Sequence, residues 1–111
     1  MSALTAQVRQ QGEVSIIQLI GYLSSEAADT VEGAFQQVRD AEKVLLVFQE
    51  KDFITSAGLA VVFDCILPLQ EQGRQVRIVQ PSKHFRKVFD IVGLSKDVEV
   101  FESEEQALGG W

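Results

Sequence analysis

Phe53-Ile54-Thr55-Ser56-Ala57-Gly58-Leu59-Ala60-Val61-Val62 decides how this chain is read, because an apolar pair gives way there to two hydroxyl residues and then to an apolar helical pattern. Thr55 or Ser56 suits the cap of a helix, since a side-chain oxygen there can accept an N–H of the first turn. Leu59, Val62, Phe63 and Ile66 recur at helical spacing and are expected to face a core, with the helix running to about Gln72 and Gly73 stopping it. Pro68 is expected to kink or distort this helix. Just upstream, Lys43 and the unbroken apolar run Val44, Leu45, Leu46, Val47, Phe48 read as a central strand covered on both faces. A polar turn, Gln49-Glu50-Lys51-Asp52, joins the two.

Outward from this unit, residues 4–10 read as a strand, Gln11-Gly12 as a tight turn and residues 14–23 as a second strand, which makes a hairpin. Ser24 or Ser25 can cap a helix through Asp40, with Ala27, Val31, Phe35 and Val38 on one face. On the other side, Val76, Ile78 and Val79 form a strand. Pro81-Ser82 then opens a helix whose Phe85, Val88, Phe89 and Val92 share a stripe up to Gly93. Residues 98–101 read as a last strand, and Ser103 with Gln106 as the capping box of a short terminal helix. Gly109-Gly110-Trp111 is expected to be a frayed tail. The order β-β-α-β-α-β-α-β-α predicts an α/β fold with a largely parallel or mixed central sheet and about four helices. One domain is expected over residues 1–108, with 109–111 as the tail.

Composition narrows the function. The chain has 111 residues, 46% of them hydrophobic, which suits one compact core without disulfides or a structural metal. Ten basic against 16 acidic residues leave a net charge of -6, which repels nucleic acid and anionic membranes. The run Lys83, His84, Arg86, Lys87 reads as a solvated face. No apolar stretch approaches the roughly 20 residues that span a bilayer, and MSALTAQVRQQ lacks a basic start followed by an apolar run, so a cytoplasmic protein is expected. The lone Cys65 reads as a small packed hydrophobe and His84 as a surface residue, on different helices, so no catalytic pair is expected. No cofactor or metal is expected either, because neither a glycine-rich phosphate loop nor a Cys/His or carboxylate cluster is present.

The element order, the segment from Phe53 to Val62 and the later Phe89-Asp90-Ile91-Val92-Gly93-Leu94 together resemble the STAS family of bacterial anti-sigma factor antagonists, over nearly the whole chain. In that family the turn into the second helix reads Asp/Ser-Ser-Ser/Ala-Gly-Leu. Its second position is a serine phosphorylated by a partner kinase that is also the anti-sigma factor, and Ser56 falls on it. Three positions often acidic in the family carry other residues here: Ser24 after the second strand, Val47 in the third strand and Thr55 directly before the serine. Glu50 and Asp52 stand nearby as substitutes.

The chemistry of the turn can also be read without the family. A hydroxyl at a helix start lies near backbone N–H groups and a partial positive charge, so it tolerates a phosphoryl group of about -1.5 to -2 charges. Gly58 in the first turn costs roughly 1 kcal/mol relative to alanine, which points either to a bare surface for a partner or to close internal packing. The outward face of the same helix carries Ala60, Asp64, Leu67 and Pro68. The expected partner-binding set is therefore Thr55, Ser56, Ala57, Gly58, Ala60, Asp64 and Leu67, with Ser24 added from the resemblance. What the resemblance implies is a non-enzymatic domain that binds an anti-sigma factor or serine-kinase-type switch protein under control of Ser56 phosphorylation. Its alternative is an unphosphorylated STAS adaptor docking on an ATPase, as in phospholipid-transport ABC systems. A third reading, a small-ligand module, has no motif behind it. The residues leave the oligomeric state open.

Overall fold

The fold is described from a computed structural model, which covers residues 4–49, 53–79, 98–109 and 111, with backbone alone at 53 and 54. The expected helix over 81–93, the basic run at Lys83, His84, Arg86 and Lys87, the segment 89–94, and Glu50 and Asp52 lie outside the described residues.

The chain opens with the expected hairpin. Strand β1, Thr5–Gln11, pairs antiparallel with β2, Val14–Ile20, and Gln11 lies opposite Val14. The loop is Gly12-Glu13, one residue later than the sequence suggests. Gly12 has φ +60° and no non-glycine residue among those described has a positive φ, the pattern of a two-residue type II′ connection.

The expected single strand over 14–23 is broken. Gly21, with φ +113°, turns the chain out of the sheet, and Tyr22–Leu23 forms a separate strand, β3. Few non-glycine side chains accept that backbone. Ser24 then caps a short 3₁₀ turn, Ser25–Ala27, its Oγ accepting the Glu26 N–H at 3.3 Å. Helix α1, Ala28–Gln37, follows and ends before Asp40.

Strand β4, Lys43–Phe48, lies parallel to β2 and to β6, Gln75–Val79. Between them run β5, Phe53–Ile54, which pairs parallel with β3, and helix α2, Ser56–Glu71. Strand β7, Glu99–Phe101, adds parallel to β6, and α3, Glu104–Leu108, closes the described chain. The main sheet has the order β1-β2-β4-β6-β7, so it is mixed, as expected: one antiparallel edge strand on a parallel sheet.

Alternation along the strands divides the core in two. Ile17, Leu19, Val44, Leu46, Phe48, Val76 and Ile78 meet the apolar stripes of α1 and α2, including Val31, Phe35, Val62 and Ile66. On the opposite face, Val14, Ile16, Leu45, Val47 and Val79 pack with Ala107 of α3. The central strand is thus covered on both sides, as its unbroken apolar run predicts.

One end agrees with expectation and the other does not. Helix α2 continues past Pro68 and stops, as expected, at Gly73 in a Schellman arrangement, with the glycine at φ +78°, its N–H donating to Gln70 O and that of Arg74 to Leu69 O, both at 2.9 Å. The tail is not frayed at Trp111. The indole Nε1 donates to Gln75 Oε1 at 2.6 Å, and the Arg77 guanidinium sits 4.6 Å from the indole centroid and 5.4 Å from that of Phe101. The same guanidinium donates to Ala107 O at 2.8 Å, so one arginine ties β6, α3 and the tail together.

Candidate functional site

The site is built where β3 and β5 leave the main sheet beyond the carboxyl ends of β2 and β4, the usual place for function in an open α/β sheet. Their pairing sets Leu23 opposite Ile54, which brings the Leu23 carbonyl under the start of α2. The Thr55 N–H donates to Leu23 O at 2.9 Å and its Oγ1 donates to the same oxygen at 3.3 Å. That Oγ1 also accepts the Gly58 N–H at 3.0 Å, making Thr55 the N-cap of α2. An aspartate at this position could cap the helix in the same way, so the departure from the family pattern keeps the local structure.

With Thr55 committed inward, Ser56 becomes the first residue of the helix and is exposed, as is Ala57. The amides of this first turn have no intrahelical acceptors, and their partial positive charge lies beside the Ser56 hydroxyl.

Gly58 proves to be an internal requirement and not a bare docking surface. It is buried, and a β-carbon there would lie 2.5 Å from Leu23 O and 2.7 Å from the Leu23 carbonyl carbon. No side chain fits unless the β3 backbone moves away. Of the expected partner-binding residues, Ala60 and Asp64 are exposed and Leu67 is half-buried. Ser24, also half-buried, stands next to Leu23 and so near Thr55, where its hydroxyl is a cap. Val47 is not part of this surface. It is 5% exposed and packs on the opposite face of the sheet.

One site residue escaped the sequence reading. Phe63, expected in the core, is half-buried and lines a notch of about 190 Å³ with Ser56, Leu59, Ala60 and Asp64. The signal was present in the helical spacing, because position 63 falls at the border of the buried stripe, next to the line through Ser56, Ala60 and Leu67.

On the other flank of α2, Cys65 is half-buried in a groove against α1. Burial, followed by the charges of Glu32 and Asp64, pushes its thiol up to about 11. It therefore stays protonated at neutral pH, a poor nucleophile and a poor metal ligand. Among the described residues no group of three or more His, Cys, Asp or Glu side chains is placed to hold a metal ion, and no helix is long and apolar enough to cross a membrane.

Comparison with known proteins places this geometry in a wider set. The chain is 22% identical over 108 residues to the "Anti-sigma F factor antagonist" of Paenibacillus polymyxa, an alignment covering 95% of this chain and 92% of the relative. The fold superposes on an anti-sigma factor antagonist from Mycobacterium paratuberculosis with a TM-score of 0.74 at 21% identity, covering 95% of this chain and 91% of that one. It also superposes on the phosphorylated form of the Bacillus cell-fate determinant SpoIIAA, with a TM-score of 0.65 at 22% identity and coverage of 94% and 96%. The family model described as "STAS domain" matches residues 5–107, nearly the whole chain from the hairpin to the terminal helix, and this protein belongs to the STAS domain family.

Proposed function

We propose that this protein is a non-enzymatic regulatory domain of the anti-sigma factor antagonist type, working in the cytoplasm. It binds an anti-sigma factor of the serine-kinase kind through the start and outer face of α2, and phosphorylation of Ser56 weakens that binding. The observation that carries the proposal is the division of labour between two adjacent hydroxyls. Thr55 is held in the cap by two neighbours, while Ser56 is exposed at the helix start beside an apolar notch. A phosphoryl group on Ser56 leaves these capping bonds intact and changes only what can lie over the helix.

The test is to incubate the chain with ATP and the anti-sigma kinases of its source organism, locate phosphate by mass spectrometry and measure affinity by calorimetry. Phosphate on Ser56 with loss of binding is expected. No complex with any of these kinases removes the proposal.

A second reading is favoured by Ser24 and Thr55, uncharged residues beside the turn at two positions that often carry a carboxylate in the family. It makes the chain an unphosphorylated adaptor docking on an ATPase subunit of a transporter. Stable binding to such a subunit, with Ser56 never modified, is its signature.

A further inference from the structure

The notch at the start of α2 is too small for a cofactor, since such pockets run roughly 300–1,000 Å³, whereas this one holds about 190 Å³ among the described residues. It is lined by the apolar Leu59, Ala60 and Phe63 and by the polar Ser56 and Asp64, both exposed and about two helical turns apart. That is room for one side chain of leucine, methionine or phenylalanine size. Charge sets the chemistry beside it. Helix α2 has no lysine or arginine in its 16 residues, and its exposed face carries Asp64 and, two turns on, Glu71. Asp64 is exposed and makes no ion pair among the described residues.

Resting on the function proposed above, we infer that the notch seats a single apolar side chain of the anti-sigma factor, presented beside a lysine or arginine that meets Asp64. An apolar anchor in a desolvated pocket with a charged rim is the usual form of a binding hot spot, and a chain of net charge -6 steers a basic surface toward it. The arrangement explains how phosphate on Ser56 acts although it adds negative charge facing a basic partner. The dianion stands at the mouth of the notch and would have to be stripped of water for the anchor to enter, which outweighs the long-range attraction.

The experiment is calorimetric titration of the full chain against the anti-sigma factor that binds it, at low and high salt, with Trp111 emission checking the fold. Ala60→Phe, on the exposed side of the notch, is expected to weaken binding about tenfold or more. Asp64→Asn should weaken it several-fold at low salt and little at high salt. Gln37→Phe, exposed on α1, should bind like the wild type. Unchanged affinity of Ala60→Phe alongside weakened binding of Ser56→Asp would overturn the anchor while leaving the switch in place. Wild-type affinity of Asp64→Lys would overturn the basic partner group. Absence of wild-type binding overturns the underlying function and the inference with it.

Discussion

Thr55 and Ser56 are neighbours of similar chemistry with opposite roles, and hydrogen bonding separates them. The Thr55 hydroxyl donates to Leu23 O and accepts from the Gly58 N–H, so Thr55→Ala should cost about 1 kcal/mol of stability in denaturant unfolding, the usual loss of a cap. Ser56→Ala should leave stability nearly unchanged and abolish phosphorylation. Gly58 allows a sharper test. Its missing β-carbon would meet the Leu23 backbone, which cannot swing aside as a side-chain tip can, so Gly58→Ala should cost about 1–3 kcal/mol and lower Tm despite alanine's better helix propensity. A gain in stability would show that the contact of β3 with α2 is loose. Cys65 adds a prediction in pH. Its thiol is raised from about 9 to about 11, so the folded protein holds that proton where the unfolded chain releases it. The resulting contribution to stability is full below about pH 9 and is lost as pH rises toward 11. Alkylation of Cys65 in the native state should accordingly stay slow at pH 8 and quicken only in that alkaline window, whereas rapid modification at neutral pH would contradict the burial.

At the scale of elements, α3 and Trp111 hold the second face of the sheet, and Arg77 is their common tie. Arg9 of β1 adds an ion pair to Glu104 at 2.5 Å. Arg77→Ala removes the cation between Phe101 and Trp111 and should shift the emission of Trp111, the single tryptophan, to the red while the circular dichroism of the sheet persists. Unchanged emission would mean that the indole is held by Gln75 alone. This contact explains a limit of sequence reading. Two glycines before a terminal tryptophan read as a free end, because local pattern carries no information about an arginine 34 positions earlier that its side chain covers. The break at Gly21 was hidden for a similar reason: Val14 to Leu23 is uniformly strand-like, and only the parallel pairing with β5 makes the change of direction worthwhile. By contrast, the unbroken apolar run of β4, the stripe of α1 and the S-x-x-Q box at Ser103 are local signals, and all three are legible. The box itself is slightly altered, with Gln106 Oε1 accepting from the Glu102 N–H at 3.3 Å, one residue before the cap.

At the scale of the whole molecule, the mixed sheet acts as a divider. One face and the ends of β2 and β4 position α2 and its turn, and the other face is closed by α3. The resemblance singled out Ser56 as the phosphorylated position, and the structure leaves that hydroxyl exposed at the turn; helical spacing put Ala60 and Asp64 on the outer face, where both are exposed. Spacing set Phe63 against the core, where it packs, but not at the notch that its half-buried ring also lines, and composition could not tell whether Gly58 serves a partner or the fold. The Leu23 carbonyl decides in favour of the fold.

The measurement that bears most directly on the account is the dissociation constant of the complex with the anti-sigma factor, taken for the unmodified chain and for the chain phosphorylated at Ser56 alone. Weakening of about tenfold or more, with Trp111 emission and thermal unfolding unchanged, is the result expected of a phosphate that blocks the α2 face of an intact fold. Equal affinity of the two forms would contradict it.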